Sequence, residues 1–128
     1  MNQVQEELGM AIIFITHNLG VIAQVADEVA VMYLGHILEQ GTAKEIVLQP
    51  QHPYTQSLLR AIPHLDRLGG RLTAISGDIP SPLERPVGCP FHTRCEQVIA
   101  GVCDTQRPAL TRISSTHTVH CFLHEQSE

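Results

Sequence analysis

Tryptophan is absent, only five residues are tyrosine or phenylalanine, and Lys44 is the single lysine among eight basic residues. Each shortage excludes something. Thirteen acidic residues outweigh the basic ones and set the formal net charge at −5, so no basic face exists to track phosphate backbones and nucleic acid is excluded as a partner. Long hydrophobic runs are also missing. The longest, near Met10 to Ile15 and Val29 to Leu34, fall far short of the roughly 20 residues that a membrane helix needs, so the chain carries no direct membrane span. The opening residues Met1-Asn2-Gln3-Val4-Gln5-Glu6-Glu7 lack the basic and apolar regions of a secretory signal. The four cysteines are therefore expected in a reducing, cytoplasmic compartment, where disulfides do not persist.

What is present is 43% apolar residues in a chain of 128, enough for one light core. Val4 and Leu8 against Gln3, Glu6 and Glu7 predict the last turns of an amphipathic helix stopped by Gly9, so the chain reads as starting in mid-helix. Ala11-Ile12-Ile13-Phe14-Ile15 is continuously apolar, without alternation, and ends on Thr16-His17-Asn18. Such a run suits a central strand of a parallel sheet covered on both faces. In open α/β sheets ligands lie beyond the carboxyl ends of the strands, which makes His17 the first functional candidate. Leu19, Ile22, Val25 and Val29 put an apolar stripe on a helix that Asn18 caps. A second buried strand over Val29 to Leu34, a tight turn at Gly35-His36 and a return strand over Ile37 to Gly41 complete the unit.

Thr42-Ala43-Lys44-Glu45 has the capping-box arrangement and predicts a short helix before Pro50. Pro53 opens another, with Leu58, Leu59 and Ile62 on its buried side and His52 and Tyr54 closing its start. Residues 66–70 are polar and Gly-rich, as in a linker, and residues 71–77 form a candidate strand. Prolines at 80, 82, 86 and 90 exclude regular helix or central strand over that stretch.

All four cysteines, Cys89, Cys95, Cys103 and Cys121, fall in the last third at the spacing C-x5-C-x7-C-x17-C, in a region poor in apolar residues. Ordering such a region calls for a clamp beyond hydrophobic burial, and four thiolates around one metal centre supply it. Structural zinc favours pairs two to four residues apart, which the first two gaps here do not match, whereas a four-iron cluster draws on more widely spaced segments. Zinc with mixed ligands stays open, because His92, His117, His120 and His124 lie close by in sequence. Inert buried cysteines are the plainest alternative.

Ile12-Ile13-Phe14-Ile15-Thr16-His17-Asn18-Leu19 together with Val31-Met32-Tyr33-Leu34-Gly35-His36-Ile37-Leu38-Glu39-Gln40-Gly41 resembles the closing third of an ABC transporter ATPase subunit. His-Pro-Tyr-Thr at residues 52–55, followed by Leu58-Leu59-x-x-Ile62-Pro63, is similar to the C-terminal extension of the ATPases of oligopeptide and dipeptide importers, and this likeness runs on to Leu123. The resemblance implies an α/β fold: an incomplete P-loop NTPase sheet with helices over residues 1–50, then a small, loop-rich, cysteine-containing extension over residues 51–128. It implies that His17 is the switch histidine that contacts the γ-phosphate of ATP, with Asn18 standing where the family usually carries aspartate. It implies that Cys89, Cys95, Cys103 and Cys121 hold a [4Fe-4S] cluster. The complete subunit is then expected to bind Mg-ATP, pair with a second ATPase subunit and with transmembrane permease subunits, and sit peripherally at the inner face of the membrane. A G-x-x-x-x-G-K-[ST] loop, a Ser-Gly-Gly signature and an apolar strand ending in Asp-Glu are all missing, so this chain is expected to be inactive alone. The rival reading is a free-standing iron-sulfur or zinc module without ATPase activity.

Overall fold

Val29, Val31 and Tyr33 point inward while Glu28, Ala30 and Met32 point out, the two-residue period of a strand covered on one face only. In the computed structural model, which describes residues 2–62 and 75–125, this strand is β1 (Glu28–Tyr33). The connection to β2 (His36–Thr42) is Leu34-Gly35, with φ of 48° and 79°. Positive φ at both central residues gives the turn twist that tight antiparallel hairpins favour, and Gly35 takes it without strain. The register runs from Glu28 opposite Thr42 to Tyr33 opposite His36, with an irregularity between Val31 and Met32.

The sheet has four strands in the order β1-β2-β4-β3, with β3 at Leu110–Arg112 and β4 at Thr118–His120. Every pairing is antiparallel, and β4 meets β2 through Val119 opposite Glu39 and Thr118 opposite Gln40. Strands from both sides of residue 50 thus share one sheet. The overall class is mixed α/β, but the parallel arrangement expected from sequence is replaced here by this small antiparallel sheet.

The helices follow their local signals. α1 (Asn2–Leu8) stops at Gly9, at φ 61°, whose N–H donates to Gln5 O at 2.9 Å. Asn18 caps α2 (Leu19–Val25), accepting from Gly20 N at 3.0 Å and Val21 N at 3.3 Å. Thr42 and Glu45 form the full capping box of α3 (Ala43–Leu48). His52 caps α4 (Pro53–Arg60), its Nδ1 accepting from Tyr54 N at 3.0 Å. Its buried residues are Pro53 and Thr55, while the expected Leu58 and Leu59 are only half-buried and Ile62 lies past the helix end. A following proline disfavours helical geometry at residue 62, which accounts for the early stop.

Two apolar clusters form the core. Ile22, Val29, Val31 and Ile46 pack beneath α2 and α3, and Tyr33, Leu38, Cys89 and Phe91 pack at the other end of the hairpin, with Tyr54 touching both. Each fully buried aliphatic or aromatic side chain contributes about 1.5–3 kcal/mol.

One expectation fails. Residues 10–15 form no strand; Ile13 and Ile15 are 89% and 98% exposed. A doubly covered strand needs neighbours to take its N–H and C=O groups and helices over both faces, and no described residue pairs with it. The linker expected over 66–70 lies outside the described residues, as do residues 71–74 of the candidate strand; Ile75 to Gly77 are not in a strand.

Candidate functional site

Residues 80–90 run without regular structure, as four prolines require, and deliver Cys89 into the second apolar cluster. The approach depends on Gly88, whose φ is 86° and where an added Cβ would stand 2.3 Å from Cys103 O. Only glycine fits between these two segments. The contact is closed by Cys89 N donating to Cys103 O at 2.8 Å. A 3-10 turn over His92–Arg94 then carries the chain to Cys95, and the Arg94 guanidinium ties this turn to Ser76 O at 3.2 Å, Ile75 O at 3.4 Å and the Tyr33 hydroxyl at 3.4 Å. Cys121 follows β4 and is buried. All four thiols are free.

The four sulfurs share one neighbourhood. Burial pushes the Cys89 and Cys95 thiols up and takes Cys121 to about 11. Negative charge on the neighbouring cysteines adds to each shift; for Cys121 these are Cys89, Cys95 and Cys103. Backbone N–H groups work the other way: Phe91 and His92 on Cys89, Gln97 on Cys95 and Leu123 on Cys121. Ile99 N donates to Cys103 Sγ at 3.3 Å. For three of the four, a donor stands two residues after the cysteine, so the backbone is arranged to stabilise charge on sulfur. Two buried and two half-buried thiols, an amide directed at each sulfur and no disulfide among them are a donor set whose chemistry is compatible with metal-thiolate binding.

Single-ion geometry is not what the residues present. Among the described residues no three His, Cys, Asp or Glu side chains converge as one metal ion requires. The histidines considered as zinc ligands are dispersed onto protein partners: His92 Nδ1 to Cys89 O at 2.9 Å, His120 Nδ1 to Pro108 O at 3.4 Å, His124 Nε2 to Gln51 O at 2.8 Å and His117 Nε2 to Glu39 Oε1 at 2.6 Å.

The last contact was not legible in sequence. Glu39 is fully buried on β2, and its carboxylate also accepts from Gln51 N at 2.8 Å and His52 N at 3.0 Å. The one signal for it is an acidic residue directly after the apolar pair Ile37-Leu38 in a strand. His52 itself is buried, and desolvation lowers its pKa to about 4. Its Nδ1 accepts a bond, so the proton sits on Nε2, which has no partner.

His17 stands apart from this centre. It occupies an exposed bend between the apolar arm and α2, where Thr16 Oγ1 accepts from Asn18 N at 3.1 Å and turns the chain into the helix.

A family model described as the oligopeptide/dipeptide transporter, C-terminal region, matches residues 38–103. The dipeptide transport ATP-binding protein DppD of Bacillus subtilis is 49% identical over 97% of this chain, and the dipeptide transport ATP-binding protein DppF of Escherichia coli is 43% identical over all of this chain. The oligopeptide transport ATP-binding protein AppD of Bacillus subtilis is 40% identical over 98%. The chain spans 37–38% of the length of these relatives. It belongs to the oligopeptide/dipeptide transporter C-terminal region family and corresponds to the C-terminal part of an ABC ATPase of that kind.

Proposed function

We propose that this chain is the C-terminal part of the ATP-binding subunit of an importer for dipeptides or oligopeptides, and that the complete subunit couples ATP hydrolysis to uptake. The observation that carries this is 49% identity to a dipeptide transport ATP-binding protein across 97% of the chain. On this reading the subunit binds Mg-ATP, pairs with a second ATPase subunit and docks on transmembrane permease subunits, held peripherally at the inner face of the membrane. Residues 1–50 belong to the nucleotide-binding domain and residues 51–128 to the extension, with β4 and β3 completing the sheet across that boundary. His17 hydrogen-bonds the γ-phosphate and orients the attacking water, a positioning contribution of the kind that dominates phosphoryl transfer. Its exposed bend leaves the imidazole free for that contact.

Cys89, Cys95, Cys103 and Cys121 hold a [4Fe-4S] cluster, one thiolate per iron. Their shared neighbourhood and the amides directed at their sulfurs support this. When bound, the cluster joins four chain segments; the residues themselves supply burial and N–H donors to sulfur.

Replacing the matching 124 residues of the Bacillus subtilis dipeptide protein with this chain tests the ATPase reading. The hybrid should hydrolyse Mg-ATP, and His17→Ala within it should lower kcat at least ~10-fold. An unchanged rate would remove His17 from the reaction. The chain alone should give a flat calorimetric titration with Mg-ATP, since no phosphate loop is encoded. Anaerobic preparation with iron and sulfide should give equal amounts of both on the protein; colourless protein carrying one zinc would replace the cluster by a zinc site.

A further inference from the structure

The four cysteines are not held equally well by their own surroundings. Cys89 and Cys103 are joined by a backbone hydrogen bond of 2.8 Å, and one 3-10 turn separates Cys89 from Cys95. Cys121 is separated from Cys103 by 17 intervening residues, behind a strand of three residues whose register on β2 rests on two pairs. So short a strand fixes position weakly.

Two side chains flanking Cys121 make up the difference. His117, four residues before it, is 1% exposed and donates through Nε2 to Glu39 Oε1 at 2.6 Å. His124, three residues after it, donates through Nε2 to Gln51 O at 2.8 Å. Glu39 also accepts from Gln51 N and His52 N, so both histidines close on the same dipeptide, the one that opens α4. A buried carboxylate with every partner in place resists displacement, because any movement leaves charge or N–H groups unpaired in a dry interior.

We propose that His117, acting through Glu39, and His124, acting through Gln51, are positioning residues that set Cys121 as the fourth thiolate of the centre. The inference rests on the cluster reading above. It makes the fourth ligand dependent on the start of α4 and, by linkage, makes the start of α4 firmer when the cluster is bound.

The test uses the full chain loaded with iron and sulfide without oxygen, comparing wild type, His117→Leu and His117→Gln. Brief exposure to air should leave wild type with four irons. His117→Leu should release roughly one iron in four as ferrous ion, with one electron passing to oxygen, leaving a paramagnetic three-iron cluster on Cys89, Cys95 and Cys103. His117→Gln keeps a donor toward Glu39 and should restore wild-type behaviour, which a general loss of packing would not do. Should His117→Leu fail to fold, hydrogen exchange in wild type decides: the Gln51 and His52 amides should exchange at least ~10-fold more slowly with the cluster than without it. A His117→Leu protein that retains four irons like wild type, or amides indifferent to loading, overturns the inference and leaves the cluster reading intact. Wild type that takes up neither iron nor sulfide overturns both.

Discussion

The arm that opens the chain and the cysteine region that closes it reverse what their compositions suggest. Residues 10–15 are one of the two longest apolar runs in the sequence, yet Ile15 is 98% exposed. The cysteine region is proline-rich and sparse in large apolar groups, yet Phe91 is 1% exposed and Val119 is fully buried. Apolar character supplies a tendency to be covered, but burial requires a surface that fits and partners for the backbone. The cysteine region finds both on the hairpin and α4, where Phe91 meets Tyr33 and Tyr54 at ring-centroid distances of 5.4 and 5.0 Å. The arm finds neither among the described residues.

Substitutions can break or sharpen this contrast. Phe91→Ala should cost about 3–5 kcal/mol, read as a lower urea midpoint, because the cavity opens at the centre of three packed aromatic rings. A loss under 1 kcal/mol would mean that the region is not packed on the hairpin. Gly88→Ala should follow at about 3 kcal/mol, since a side chain must enter left-handed backbone against Cys103 O. An unchanged midpoint would place Cys89 and Cys103 further apart than described.

Acid should act through the start of α4. His52 has a folded pKa of about 4 against an ordinary 6.5, so between those values the unfolded chain binds the extra proton and stability falls as pH falls. The full effect, complete near pH 4, is roughly 3 kcal/mol. Denaturant midpoints from pH 7 to 4 should trace this slope, and His52→Asn, which keeps a cap, should flatten it. Glu45 acts lower: Thr42 N–H first, then the Thr116 hydroxyl, holds it at about 2, so its contribution persists above 4.5 and fades only from there toward pH 2. Thr42→Ala, which removes half the capping box, should cost about 1 kcal/mol by thermal melting.

The smallest effect belongs to the arm. Ile15→Ala should change stability by less than ~0.5 kcal/mol, because the side chain contacts almost nothing. Ile13→Asp should leave the melt unaltered and reduce self-association in size exclusion, since an uncovered apolar segment with unpaired backbone invites association. A destabilisation like that of Phe91→Ala would show the arm packed after all.

Much of the local structure was readable because its causes are local. The caps at Asn18 and Thr42, the proline-opened α4 and the hairpin turn each follow from side chains within a few residues of the backbone groups they satisfy. The hairpin was expected one residue late, at Gly35-His36, because Leu34 accepts a positive φ that sequence reading reserves for glycine. β3 and β4, at three residues each, are too short for a two-residue period to show in sequence.

Sequence by itself determined the family, the grouping of Cys89, Cys95, Cys103 and Cys121 in one region, and the absence of a phosphate loop, since all three are matters of residue type and spacing. Tertiary structure alone decided which apolar run is covered, and that β4 closes the sheet against β2. It alone also decided that Glu39 joins residues 51, 52 and 117, up to 78 positions apart. The reason is physical: a cap or a turn is satisfied by neighbours along the chain, whereas a buried carboxylate or an apolar strand takes its meaning from whatever folding brings against it.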